Sequence, residues 1–336
     1  MSSVQPTPSI RKPASRRKTS DGAAPESAAS KAAASAPAPA RPAILRVEQP
    51  GWFEMDDVAY HADPCPEPSL SASIANKVIH QSLLHAWRAH PRSPLFVESV
   101  AGSAADRGSA AHSLLLGGKA LTVIEAEDYR TTAARTAREE ARASGRIPLL
   151  AKEAEGVAAM TALARARFFD LHDGPYHCER TAIWRPREAG WRRARLDTVS
   201  HEGALIVDYK TTEAAVDAFA CERRIADMGL QIQAAAYVEA VEHLHPELAG
   251  RVRFLFQWQE QKPPYALSPP LEMGEAFLSL GRAQWRAASH LWDKALAHKT
   301  FPGHSARPHL ASPPPWELAR WEERALSEGL ISGGAA

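Results

Sequence analysis

The residues best equipped for chemistry lie in one stretch, Arg195 to Lys210, which reads RLDTVSHEGALIVDYK. Asp197 stands in a polar segment flanked by arginines. A turn through His201, Glu202 and Gly203 follows, and the apolar run Ala204 to Val207 leads into Asp208 and Lys210. Side chains two apart on a strand share a face, so Asp208 and Lys210 are expected side by side, and a tight hairpin lays Asp197 next to them. Ala204 to Val207 reads as a strand covered on both faces, which sets Asp208 at the edge of a dry region. A carboxylate there needs a partner charge, a proton or a metal ion. An ion pair between Asp208 and a solvated Lys210, with Asp197 on Arg193 or Arg195, meets that need; so does a cation held by both carboxylates. Spacing alone leaves the two open.

The rest of the chain must supply the frame. With 336 residues, 45% of them hydrophobic, it can bury one large core or two small ones, and no apolar run reaches the eighteen or so residues of a membrane span. Residues 1–44 are rich in Ala, Pro and Ser, with seven basic residues against two acidic, and such a tail cannot bury enough apolar surface to order itself. The whole chain carries +1, so a tail of +5 leaves the remainder at −4, mildly acidic. The tail lacks the apolar core of a secretory signal. Cys65, Cys178 and Cys221 are far apart with no Cys-x-x-Cys pair, which argues against a zinc site or a disulfide framework and fits a reducing cytoplasm.

In chain order, Trp52 to Pro68 reads as irregular. Ser71 or Ser73 is expected to cap a helix running through Ile74, Val78 and Leu83 to Trp87. A helix N-terminus bearing hydroxyls is also a natural phosphate site. His112 precedes the anchoring Leu114, Leu115 and Leu116 on a further helix. Two helices are expected over Glu127 to Leu171, separated near Gly145 to Pro148. His177 to Arg185 alternates as a strand that Glu179 opens. Glu213 to Gly229 reads as a helix, and Leu230, Ala234, Tyr237, Val241 and Leu244 form the apolar stripe of the next one. Strands are expected at Arg251 to Gln257 and Pro264 to Leu267, a long amphipathic helix at Gly274 to His298 and a short one at Trp316 to Glu328. The sum is an α/β (α+β) domain over about 45–330, with a mixed sheet of about five strands flanked by helices and a short flexible end at 331–336.

Asp197, followed eleven residues on by Asp208-Tyr209-Lys210 at the end of an apolar strand, resembles the layout of the PD-(D/E)XK nuclease superfamily. Gln233-Ala234-Ala235-Ala236-Tyr237 looks like the Gln-x-x-x-Tyr helix of its exonuclease branch. Leu70-Ser71-Ala72-Ser73 followed by His85-Ala86-Trp87 resembles the opening of the RecE-like (exonuclease VIII) family, akin to the lambda-exonuclease type, although Leu83-Leu84 stands where relatives carry Ser-Pro. Gly108 to His112 matches the family's Gly-x-x-x-His helix. Together the matches span roughly Tyr60 to Phe301.

The resemblance implies a restriction-endonuclease-like core with extra N-terminal helices. It implies Asp197 and Asp208 as metal ligands, with the carbonyl of Tyr209 and His112 completing the shell and Glu179 serving a second cation or water. Lys210 would hold the attacking water and oppose phosphate charge, and Gln233 would position that water or the lysine. Ser71, Ser73, Arg193, Arg195 and Tyr237 are the expected DNA and phosphate contacts. Magnesium suits such a site, with manganese as substitute, and the four thiolates of the iron–sulfur relatives are missing. The implied function is a magnesium-dependent exodeoxyribonuclease that digests one strand of linear duplex DNA from its 5′ end for single-strand-annealing recombination. Its implied partners are duplex DNA ends and an annealing protein, and its implied assembly is a toroidal homo-oligomer. The alternatives are an endonuclease of the same superfamily and a DNA-end binding module without turnover.

Overall fold

Six strands build the main sheet of this computed structural model, which describes residues 46–97, 102–187 and 189–331. The expected tail at 1–44 lies outside them, as does 332–336. The described residues fall within one unit, 43–336. In chain order the elements are β1 (Gly51–Phe53), α1 (Asp57–His61), α2 (Ala72–His80), α3 (Leu83–Arg88), α4 (Ser103–Leu116), β2 (Leu121–Ile124), α5 (Thr132–Ala143), β3 (Ile147–Leu150), α6 (Ala151–Phe168), β4 (Tyr176–Trp184), β5 (Arg192–Ser200), β6 (Leu205–Thr212), α7 (Ala218–Met228), α8 (Leu230–Leu244), β7 (Arg253–Glu260), β8 (Leu271–Glu272), α9 (Glu275–His298) and α10 (Pro315–Ser327). The main sheet runs β1-β4-β5-β6-β7-β8, and every neighbouring pair is antiparallel except β6–β7, which is parallel and joined by the α7–α8 crossover.

Alternation along β6 and β7 sorts the two faces. Ile206, Phe254 and Phe256 join α8, α9 and α2 in the larger core, with Trp184, Trp285 and Trp292 at its centre. Val207, Tyr209 and Leu255 face the other way, against α4 and α6 in the second core. Strand β6 is therefore covered on both sides, as its continuous apolar run requires. Asp208 and Lys210 emerge on the α8 side and Tyr209 on the α4 side, where its hydroxyl donates to Gln259 Oε1 at 2.5 Å.

Several elements differ from the sequence expectation. The helix expected to run from Ser71–Ser73 to Trp87 is two helices, because Gln81 leaves helical geometry (φ −128°, ψ −93°) and Ser82 caps a new start by accepting from the His85 amide at 3.3 Å. The break expected near Gly145 to Pro148 contains β3, which pairs in parallel with β2 in a separate two-stranded sheet. Pro264 to Leu267 is reduced to one bridge, Gln259 to Leu267, and the edge is β8 instead. The stretch Trp52 to Pro68 holds β1 and α1, the latter capped by Asp56, whose Oδ1 accepts from the Ala59 amide at 2.7 Å. The helix expected from Glu213 begins at Ala218, after Asp217 as its cap.

Candidate active site

The site forms where β5 and β6 part. Thr198 pairs with Val207 and Val199 with Ile206, and the next pair in that register would be Asp197 with Asp208, but the ladder ends before it. The Asp197 side chain takes over: its Oδ2 accepts the Tyr209 amide at 2.8 Å. A carboxylate thus stands in for the missing backbone acceptor, and the two strands splay around it.

Asp208 is fully buried in the cleft so opened. Its Oδ1 is ion-paired with Lys210, and its Oδ2 accepts from Gln233 Nε2 at 2.6 Å. Burial and the Asp197 charge push its carboxyl up to about 6, against the pull of Lys210. Burial likewise raises Asp197, opposed by Lys210 and the Tyr209 amide. For Lys210, burial works against the ammonium, yet Asp208 and Asp197 outweigh it and hold the group above its ordinary value. Gln233 sits in the first turn of α8. That turn lies where α9 approaches most closely: a Cβ at Gly281 would stand 2.1 Å from the Gln231 carbonyl oxygen, so only glycine fits.

Helix α4 delivers His112 from the opposite face. A Cβ at Gly108 would stand 2.9 Å from Thr211 Oγ1, so this glycine lets α4 lie close on β6. One turn further on, His112 Nδ1 is 3.5 Å from Asp197 Oδ2, and its ring packs on Tyr209 at 5.1 Å. Burial and the Lys210 charge push the imidazole down to about 4, which leaves it neutral at neutral pH. The Asp208 charge and the nearby Tyr209 backbone oppose that shift without overcoming it. Glu179 comes from β4. Burial, then Asp197, pushes its carboxyl up to about 7, with Arg195 opposing.

Among the described residues, ligand atoms of His112, Glu179 and Asp197 lie within 4.8 Å of one another, an arrangement able to hold a metal ion. Asp208 is not in that trio; its two oxygens are engaged by Lys210 and Gln233 immediately beside it. The donor set is one neutral imidazole and hard carboxylate oxygens, which fits a divalent cation.

The arginines expected at the DNA are placed otherwise. Arg193 is 3% exposed, ion-paired with Asp63 at 3.0 Å and hydrogen-bonded to Ser69 Oγ at 2.5 Å. It is a core ion pair and not a DNA contact. Arg192 is equally buried on Asp293. Arg195 turns to Asp57 at 2.8 Å and to Glu179, and it stays at the cleft beside His112, where its charge still works against the rise of the Asp197 carboxyl. Ser71 is the N-cap residue of α2, but its side chain makes no capping bond; its Oγ lies 3.1 Å from Ser73 Oγ, and Ser73 is the exposed member. Tyr237 is buried, one turn of α8 on from Gln233. Sequence reasoning missed Asp57, which anchors Arg195, Lys119 and His61 together. The signal was there in the Asp56-Asp57 pair ahead of Val58 and Tyr60, an N-cap pattern inside a stretch read as irregular.

A sequence model of the PD-(D/E)XK nuclease superfamily matches residues 69–325, and the chain belongs to that superfamily. No curated protein matches it in sequence. A crystal structure described as a "Putative exonuclease" from Eubacterium rectale is similar at 11% identity with a TM-score of 0.49, covering 75% of this chain and 92% of that one. Nucleases of this superfamily act with divalent metal on nucleic acid, and His112, Glu179, Asp197 and Asp208 are the residues here that would hold the ion. Bound there, it would lower the pKa of coordinated water and offset phosphate charge. The chain's own contribution is orientation: Lys210 places an ammonium at the cluster, Gln233 fixes the Asp208 carboxylate, and Asp197 is locked by the Tyr209 amide.

Proposed function

We propose that the chain is a magnesium-dependent exodeoxyribonuclease, with manganese able to substitute, that degrades one strand of linear duplex DNA from its 5′ end. The observation that carries the reading is the pairing of Asp208, held between Lys210 and Gln233, with the adjacent His112–Glu179–Asp197 trio. A buried carboxylate flanked by a cation and an oriented amide, next to three metal-ligand atoms, is a hydrolytic site and more than an ion pair needs. The exonuclease branch, the 5′ polarity and a place beside a single-strand annealing protein are supported by the resemblance of Leu70 to Ser73, Gly108 to His112 and Gln233 to Tyr237 to the RecE-like pattern. On the same resemblance the protein acts as a homo-oligomer around duplex DNA, and its sparse, unpaired cysteines suit the cytoplasm.

Digestion of the same duplex as a linear and as a covalently closed circle, with magnesium, tests it. Loss of the linear form alone, with label at a 5′ end released first, is expected. Cutting of the closed circle would make the enzyme an endonuclease, and binding to ends without cutting would make it a binding module.

A further inference from the structure

His112 reaches Asp197 only if α4 lies on β6 in one register, and that register is held one turn away from the imidazole. Ala104, Gly108 and His112 are spaced by four, so they form one row along α4. The row meets β6 in reverse order: Gly108 lies against Thr211, and the His112 ring packs on Tyr209. Four helical residues advance about 6 Å and two strand residues about 7 Å, so the two spacings match. Fixing Gly108 at Thr211 therefore fixes His112 at Tyr209.

Gln261, the residue after β7, does the fixing. Its backbone amide donates to the Thr212 carbonyl at 2.7 Å, which ties it to the end of β6. Its side-chain Nε2 donates to Thr211 Oγ1 at 2.8 Å and to the Ala104 carbonyl at 3.1 Å, joining the strand to the first turn of α4. Its Oε1 accepts from Arg107 Nε at 3.3 Å. Arg107 uses its other two nitrogens on carboxylates, Nη1 on Glu153 Oε1 at 2.9 Å and Nη2 on Glu213 Oε1 at 2.5 Å. Glu153 is itself fixed at the start of α6, where its Oε2 accepts from the Leu150 amide at 3.2 Å. One guanidinium and one amide thus bind α4 to α6 and to the ends of β6 and β7. None of these four residues lines the cleft at His112 and Glu179. An arginine with three fixed partners is a stiffer joint than a solvated ion pair.

We propose that Arg107 and Gln261 are positioning residues of the metal site, holding α4 in the register at which the His112 imidazole completes the ligand set with Asp197 and Glu179. The proposal rests on the metal-site reading of His112 and adds to it two residues that touch neither ion nor substrate.

The test is a double-mutant cycle read by calorimetric titration of magnesium into the full chain. Arg107→Met is expected to weaken magnesium binding about tenfold, the scale on which a metal ligand's outer supports act. His112→Ala is expected to weaken it at least as much. The variant carrying both should bind no more weakly than His112→Ala alone, because the clamp acts only through the imidazole. Gln261→Met leaves the charges of Arg107, Glu153 and Glu213 in place, so it is expected to fold and to show the same non-additive loss even if Arg107→Met does not. A merely structural role gives a different pattern: parental affinity in the clamp variants, or a loss that adds in full to that of His112→Ala. Either result overturns the positioning and leaves His112 a ligand. Parental affinity in His112→Ala overturns the metal-site reading of that histidine and the positioning with it.

Discussion

Glu179 and Asp197 face each other across β4 and β5 without pairing. Cys178 pairs with Thr198 and Arg180 with Leu196 on either side, so the register brings the two acids opposite, yet Glu179 adopts φ +52°, and the ladder skips that pair. A left-handed glutamate inside a strand is strained, and here the strain turns a carboxylate toward a second carboxylate and an imidazole. Burying two acids together costs stability that the Arg195 guanidinium on Glu179 offsets only in part, since the Glu179 carboxyl is still pushed up.

Glu179→Gly should therefore separate folding from binding. Glycine adopts this backbone freely and removes one buried acid, so the metal-free protein should gain about 1 kcal/mol in stability. Its affinity for magnesium should fall at the same time. Urea unfolding without metal and calorimetric titration with it check the two halves; a less stable metal-free variant would contradict the strain argument.

Activity should rise with pH from about 6 to 8. Glu179 titrates near 7 and Asp208 near 6, both above ordinary carboxylates, and a metal needs the anions. The effect on stability has the opposite sign. Folded-state values raised above the unfolded ones contribute stability that is full below the ordinary carboxylate range and lost as pH rises through 6 to 7. Melting curves at pH 5.5 and 8 should show magnesium stabilising the protein much more at the higher pH. Equal stabilisation at both would remove these two acids from the metal site.

Much of this arrangement is legible in the sequence. The Asp197, Asp208 and Lys210 spacing, the two-sided apolar run of β6 and the stripe of α8 are local patterns, and each lands where the pattern puts it. The destinations of the arginines are not local. Arg193 and Arg195 alternate on a strand whose neighbours are set by the fold, and their partners Asp63 and Asp57 lie in a proline-rich stretch that has no periodicity to read. The same holds for β2 and β3, four residues each, which exist only as a pair. Glu179 could be named from sequence, but its left-handed backbone could not.

Arg193 gives a test of that correction. Arg193→Met leaves Asp63 buried without its cation and should cost about 3 kcal/mol of stability. Denaturant midpoints should recover when Asp63→Leu is added, because the buried acid then goes too. An effect confined to DNA affinity, with the midpoint unmoved, would return Arg193 to the DNA surface.

Ser73 is the exposed hydroxyl at the start of α2, where backbone amides favour an anion. Ser73→Ala should reduce the preference for 5′-phosphorylated over 5′-hydroxyl ends while leaving stability level or higher by about 0.5 kcal/mol, since alanine is the better helix former. Competition digestion of the two substrates measures it, and an unaltered preference would place the terminal phosphate elsewhere.

The central claim is that Asp208 serves a metal-dependent hydrolysis and not merely an ion pair with Lys210. Asp208→Asn keeps the shape and the contact to Gln233 but removes the charge, so magnesium should bind at least tenfold more weakly by calorimetry, and cleavage of linear duplex should be abolished. DNA binding should persist or strengthen, because the lost charge repelled phosphate. Lys210→Ala should keep metal affinity and lose turnover. Near wild-type digestion by Asp208→Asn, with only a modest fall in stability, would contradict the account.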